Sequence, residues 1–197
     1  DKIRLSSVNK QFRNIFILRK EKLEIMRPVK CLETFNSKPF LFLNKKRRKT
    51  FDEAYLNTNF LNKIHTLDLS NTDIENGFDF ENVHTLNLSY SYVTNVSMLG
   101  NVHTLDLSHT NVSDVSMLGN VHTLILHGTN ITDVSKLGNV HTLDISHTKI
   151  KDVSKLSNVH TLDLSYTKVE DISKLGNVHN LDLHGTNISD VSKLGNI

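Results

Sequence analysis

The sequence predicts a solenoid of the α/β class, with short parallel strands on a concave face, loops and single 3₁₀ turns on a convex face, and a small α-helical N-terminal part. Three observations predict it. The stretch "NVHTLDLSHTNVSDVSMLG", Asn101 to Gly119, recurs with small changes from Asn120, Asn139, Asn158 and Asn177. Each 19-residue copy is too short to bury its own apolar face, so neighbouring copies must share a core. Within a copy, "TLDLS" alternates polar and apolar residues with the period of a strand buried on one face. Counted from the apolar residue after each Asn, copies begin at Ile64, Val83, Val102, Val121, Val140, Val159 and Val178. Places within a copy are numbered below from that residue, so Val102 is position 1.

A chain of 197 residues with 38% hydrophobic content can hold one continuous core without a second large domain. The net charge of +2 conceals two unlike halves. Residues 1–63 carry 16 Lys/Arg and 6 Asp/Glu, while residues 64–197 carry 7 and 15; the first part is therefore +10 and the second −8. All 11 histidines lie in the repeats. The asymmetry places a boundary near Ile64, and the chain divides into an N-terminal helix at 1–20, a linker and solenoid cap at 21–63, and the repeats at 64–197. The single cysteine, Cys31, excludes an internal disulfide framework and favours a reducing compartment, cytoplasm or nucleus. No apolar run is long enough to span a bilayer. Running from Asp1 to Ile197, the first residue of an eighth copy, the chain reads as a piece of a longer protein.

At the N-terminus, "DKIRLSSVNKQFRNIFIL" spaces Leu5, Val8, Phe12 and Ile15 or Phe16 at three- and four-residue steps, the stripe of an amphipathic helix. Its segment "LSSVNKQFR" resembles the latter part of an F-box, the helical module that recruits the Skp adaptor of cullin-RING ubiquitin ligases. The resemblance covers about a dozen residues, and it implies that Leu5, Val8 and Phe12 face the adaptor. Read without it, the same stripe is a helix capping the solenoid. The basic run Lys45 to Lys49 is a solvated loop or an import signal. Thr50 and Glu53 then form a capping box that opens a helix to about Leu56, expected to shield the first coil.

In the repeat itself the apolar places are 1, 4, 6, 11, 14 and 17, as in Val102, Leu105, Leu107, Val112, Val115 and Leu118. Strands are expected at Leu86 to Leu88, Leu105 to Leu107 and Leu143 to Ile145. Asp114 has the place of a cap whose carboxylate accepts a backbone N–H two residues on, and Asp133, Asp152, Asp171 and Asp190 repeat it. Gly119 and Asn120 would supply the positive φ for the turn back. Ser157 replaces that glycine once.

"VHTLDLSHTNV" resembles the leucine-rich repeat pattern L-x-x-L-x-L-x-x-N-x-L, with Thr110 in the place of Asn, and "DVSKLGNV" resembles the short turns of internalin-like repeats. In that family the Asn side chains bond the backbone of adjacent coils. The resemblance implies a thinner ladder here, since Thr or Ser holds the place in every copy and offers one hydroxyl.

Function in such a solenoid belongs to the outward positions 3, 5 and 7 of the strands. Position 5 reads Asp68, Asn87, Asp106, Ile125, Asp144, Asp163 and Asp182. Hydrated carboxylates at the strand spacing repel by roughly 1 kcal/mol, so Asn87 and Ile125 relieve the column. The histidines of position 2, His65 through His179, are read as structural, because a metal site needs ligands converging on one point. What varies is more informative: Tyr90, Tyr92, His109, Ile125, His127, His147, Tyr166 and His184 interrupt the monotony near the strand ends. These are the candidate partner-binding residues, since Tyr contributes contact area with few torsions.

No nucleophile–base–acid order, phosphate loop or Cys/His spacing stands outside the repeat register, so no enzyme, cofactor or metal is expected. An acidic sheet beside a basic run without aromatic residues argues against nucleic acid. Near-identical copies point to recent duplication, as in repeat families of large eukaryotic viruses and their hosts. The readings left are a protein-binding substrate-recognition subunit of a ubiquitin ligase, and a leucine-rich-repeat binding or adhesion module with no ligase link.

Overall fold

The computed structural model describes residues 16–19, 22–25, 40–42, 65–72, 74, 80, 82–192 and 194. Strands β1, Phe16–Arg19, and β2, Lys22–Ile25, pair antiparallel with Phe16 opposite Ile25. The expected N-terminal helix through residue 20 is therefore corrected at 16–19, where β-branched and aromatic residues in "FILR" suit a strand. Leu5, Val8 and Phe12, the basic run and the expected helix from Thr50 lie outside the described residues.

The seven copies and one strand ahead of them form one eight-stranded parallel sheet in chain order. Its members are β3, Phe40–Phe42; β4, Thr66–Asp68; β5, Thr85–Asn87; β6, Thr104–Asp106; β7, Thr123–Ile125; β8, Thr142–Asp144; β9, Thr161–Asp163; and β10, Asn180–Asp182. From β4 onward each residue pairs with the residue 19 places later, so Leu67, Leu86 and Leu105 stand in one column. Strand β3 precedes the first copy and still joins in register, Leu41 opposite Leu67. The repeat pattern alone did not reveal this added strand.

Each strand starts one residue earlier than expected, at position 3, and hydrogen bonding between coils runs beyond it. His103 and Thr104 N–H both donate to the His84 carbonyl at 3.0 and 2.9 Å, Leu107 N–H to Ile125 at 2.8 Å, and His109 N–H to His127 at 2.8 Å. Coil-to-coil bonding thus extends from position 2 to position 8, which satisfies backbone groups that a three-residue strand would leave open.

Behind the sheet the chain returns through single turns. Leu118 N–H donates to Val115 O at 3.0 Å and Val121 N–H to Leu118 O at 3.1 Å, two linked i→i+3 bonds. Among the described residues there are strands and turns but no α-helix. Positions 1, 4, 6, 11, 14 and 17 fill the space between, and Leu105, Leu107, Val112 and Leu118 are fully buried. In the last copy Leu181, Leu183 and Ile188 pack against this core while partly buried.

The threonine column of position 9 is buried as well, and it works differently from the family's asparagine. Thr110 Oγ1 donates to Leu107 O of its own coil at 2.7 Å, and Thr129, Thr148 and Thr167 do the same to Leu126, Ile145 and Leu164. Each hydroxyl folds back and closes its own turn. Ser91 is the exception: its buried Oγ has no hydrogen-bond partner.

Candidate functional site

Two rows of rings border the sheet, one at each end of the strands. At position 2, His65, His84, His103, His122, His141, His160 and His179 stack with ring centroids 4.3 to 4.8 Å apart. The spacing is that of the strands themselves. The Nδ1 atoms of His103, His122, His141 and His160 each lie 3.2 to 3.3 Å from the hydroxyl of the following threonine, which fixes the ring orientation. Among the described residues no group of three His, Cys, Asp or Glu is placed to hold a metal ion.

The second row stands where the strand ends, and its backbone is unusual. Position 8 has positive φ in every copy: Asn71 at 53°, Tyr90 at 56°, His109 at 54°, Gly128 at 66°, His147 at 54°, Tyr166 at 55° and Gly185 at 69°. Here position 8 donates its N–H to the next coil while position 9 turns back to position 6, so the chain reverses within two residues. The expectation that Gly119 and Asn120 supply the positive φ is corrected. Glycine at position 18 answers a contact instead, since a Cβ on Gly119 would lie 2.4 Å from the Lys136 carbonyl oxygen of the next coil.

For Asn and Gly the left-handed region costs little, whereas Tyr and His occupy it at about 1–2 kcal/mol. Something must offset that cost, and the rings show what. Tyr90 stacks on His109 at 4.5 Å, His109 meets His127 at 4.8 Å, His127 meets His147 at 4.8 Å, His147 stacks on Tyr166 at 4.4 Å, and Tyr166 meets His184 at 5.2 Å. The row is continuous from the second copy to the seventh, although its rings come from two places. Tyr90, His109, His147 and Tyr166 are at position 8 behind a serine; His127 and His184 are at position 7, followed by glycine. Glycine suits that arrangement, because a Cβ on Gly128 would lie 2.7 Å from His109 Nδ1 and one on Gly185 2.6 Å from Tyr166 Cδ1, so either ring would have to shift. A residue pair, Ser-ring or His-Gly, is therefore the unit that maintains the row.

Between the rows run the threonines of position 3 and the aspartates of position 5, all partly exposed through the sixth copy. The aspartates also hold the turn. Asp106 Oδ1 accepts the Ser108 N–H at 2.9 Å, and Asp68, Asp144 and Asp163 act alike on Ser70, Ser146 and Ser165. Asn87 does the same for Ser89 at 2.9 Å, so the bond does not need the charge. Ile125 cannot make it, and it leaves an apolar step in the middle of the acidic column.

One cluster contains Ser, His and Asp together. Ser146 Oγ donates to Asp144 Oδ1 at 2.5 Å and lies 2.7 Å from His127 Nδ1. The hydroxyl hydrogen is already donated to the carboxylate, so His127 must be the donor at Nδ1 and cannot serve as a base toward that oxygen. The arrangement orients a ring and activates no nucleophile.

On the opposite side the acids act as expected from the sequence. Asp114 Oδ1 accepts Ser116 N–H at 2.9 Å, and this bond together with the Ser116 hydroxyl holds the carboxyl below its ordinary range. Asp133, Asp152 and Asp171 repeat it through Ser135, Ser154 and Ser173. Asn95 makes the equivalent bond to Ser97 at 3.0 Å without a charge.

Of the residues singled out in the sequence, the structure brings Tyr90, His109, His127, His147, Tyr166 and His184 into one row. Ile125 lies beside them within the sheet. Tyr92, at position 10, is 60% exposed and takes no part in the row. The position 2 histidines and the αL place were missed as ring and backbone features, and the signal for the latter was Asn71, Gly128 and Gly185 sharing one column.

No protein-family model matches the sequence, and no curated protein does. Among solved structures the chain is similar to internalin C2 of Listeria monocytogenes, with 31% identity and a TM-score of 0.60 over 72% of this chain and 70% of that one. It is similar in fold to a leucine-rich repeat protein of Leptospira interrogans, with 19% identity and a TM-score of 0.58 over 71% of this chain and 43% of that one. It is likewise similar to the functional domain of InlJ from Listeria monocytogenes, which includes a cysteine ladder, with 17% identity and a TM-score of 0.55 over 70% and 34%. Among the described residues no helix is long and apolar enough to cross a membrane.

Proposed function

We propose that this chain, which belongs to the leucine-rich repeat family, is a protein-binding or adhesion module that holds its target on the sheet face and the composite ring row beside it. The observation that carries this reading is the persistence of that row. Its tyrosines are open to solvent, Tyr90 by 55% and Tyr166 by 50%, so burial in the core does not account for them. Six copies nevertheless each contribute one ring, by two different local solutions. Exposed aromatic residues on a rigid scaffold are the usual anchors of protein recognition. The internalin likeness supports a binding or adhesion role and requires no catalytic centre.

The finer reading, an F-box ahead of the array that engages a Skp-type adaptor, rests on the resemblance around Leu5, Val8 and Phe12 alone. The similar structures are internalins and a bacterial leucine-rich repeat protein, so the module without a ligase link is better supported. Recovery of the adaptor by wild type and its loss on Val8→Asp would restore the ligase reading.

The main reading is tested by placing a photo-crosslinking residue at Tyr166 on the ring row and, separately, at Met117 on the opposite side. Targets should be captured from Tyr166 and not from Met117. Capture from position 166 should be lost when Tyr90→Asn/His147→Asn is added, a change whose backbone is already accommodated by Asn71. Capture from Met117 alone would place the binding surface on the wrong side.

A further inference from the structure

Resting on the sheet face as the binding surface, we infer that its occupant is a basic protein segment rich in arginine. The argument is charge segregation combined with ring chemistry. No arginine follows Arg48 in the chain. The described lysines of the repeats, Lys136, Lys155 and Lys174 at position 16, Lys149 and Lys168 at position 10, and Lys151 at position 12, all lie past the ring row or on the turns behind the core. The strip between the two rows therefore holds Asp68, Asp106, Asp144, Asp163 and Asp182 with no described lysine among them.

Those carboxylates are only partly occupied. Each uses Oδ1 for the N–H two residues on, and a carboxylate has further lone pairs to offer a partner. A guanidinium can meet such an oxygen with a charge-assisted bond and lay its plane against an aromatic ring a few ångströms away. An ammonium can do the first and is less suited to the second. The strip is thus framed for arginine: acids in the centre, exposed Tyr and His rings along its border, and Ile125 as an apolar contact midway. A nucleic acid would meet the same carboxylates as repulsion, and a neutral glycan would not use them.

The test compares labelled oligo-arginine, oligo-lysine and oligo-glutamate peptides by fluorescence anisotropy at low and high salt. Three variants are needed. Asp106→Asn/Asp144→Asn/Asp163→Asn neutralises the sheet, and Asn87 shows that the amide keeps the turn bond. Asp114→Asn/Asp133→Asn/Asp152→Asn removes the same charge from the opposite side, where Asn95 is the precedent. Tyr90→Asn/Tyr166→Asn thins the ring row. Oligo-arginine should bind more tightly than oligo-lysine, and oligo-glutamate should not bind. The sheet triple should lose tenfold or more and the opposite triple less than twofold, while the ring variant should narrow the arginine preference. Equal losses in the two triples would reduce the effect to net charge and overturn the inference. So would absence of arginine preference, or a captured target from Tyr166 that is acidic or a neutral glycan. That last outcome leaves the sheet-face reading intact, whereas targets captured only from Met117 would remove both.

Discussion

The two ring rows differ in how they are made. The row at position 2 repeats one residue, histidine, on ordinary backbone in all seven copies. The row at positions 7 and 8 mixes Tyr and His, draws them from two places, and runs over left-handed backbone at every step. A uniform row can follow from duplication alone, because copying a repeat copies its stack. A composite row cannot, since each departure from the common residue had to restore a ring at the same place in space. What is held constant there is the presence of a ring, and the residue supplying it varies.

The largest effect should come from removing what both rows stand on. Leu107→Ala deletes a fully buried side chain and should cost on the order of 2 to 5 kcal/mol in urea unfolding. Imidazole NMR signals from both rows should shift together. If the melt matched wild type, the assignment of positions 4 and 6 to the core would be wrong.

Next in size is a change that should separate the rows. Gly128→Ala adds a Cβ against the His109 ring at a φ of +66° and should cost roughly 1 to 3 kcal/mol. NMR shifts should move at His109 and His147 and stay fixed at His103 and His122. Gly138→Ala puts a Cβ 2.4 Å from the Lys155 carbonyl oxygen at ordinary φ; Ser157 holds the same position in the next copy, so that contact can be relieved and the change should cost less. A reversed order would show that coil spacing, and not the ring row, sets the glycine requirement.

A smaller effect, of opposite sign, is expected beneath the composite row. Ser91→Thr places the column's usual residue where the buried hydroxyl is unpaired, and should stabilise by about 0.5–1.5 kcal/mol if the new hydroxyl reaches Leu88 O as its counterparts do. Unchanged stability would mean that the turn after Tyr90 differs from the others.

The smallest effect leaves both rows alone. The Asp114 carboxyl is held below its ordinary range, so its contribution is present above that range and fades as pH falls through the lowered value. Asp114→Asn keeps the bond and removes the titration. Between neutral pH and about 3, the variant's urea midpoint should fall less than wild type's; equal falls would assign acid sensitivity to other groups.

Much of this was legible in the sequence because a 19-residue period turns a structure into columns. The six apolar places and the Asp114 cap could be read directly, since burial and capping are local to one copy. Thr110 could be seen to depart from the family's Asn, but its bond back to Leu107 depends on how tightly position 9 turns. The ring row was read only as scattered variation. Tyr90 and His127 stand at different places in their copies, and nothing in one dimension says that the two places project to the same line. Strand β3 was missed for a similar reason, as "FLF" precedes Thr66 by 26 residues and lies outside the period. The glycine of position 18 was assigned to turning because glycines usually mark turns. It marks proximity here, and the turn falls to residues that seldom adopt it.

The pairing of Ser-ring with His-Gly also constrains the order in which these copies can change. A Ser-His copy that first gains histidine at position 7 keeps a side chain at position 8 where the neighbouring ring must pass, as the 2.7 Å approach to His109 shows. A copy that first loses its position 8 ring to glycine leaves only a gap in the row and relieves strained backbone. Interconversion should therefore run through Ser-Gly and not through His-His. The accessible mutational route is directional at each copy, and a collection of such arrays should contain Ser-Gly intermediates far more often than their His-His counterparts.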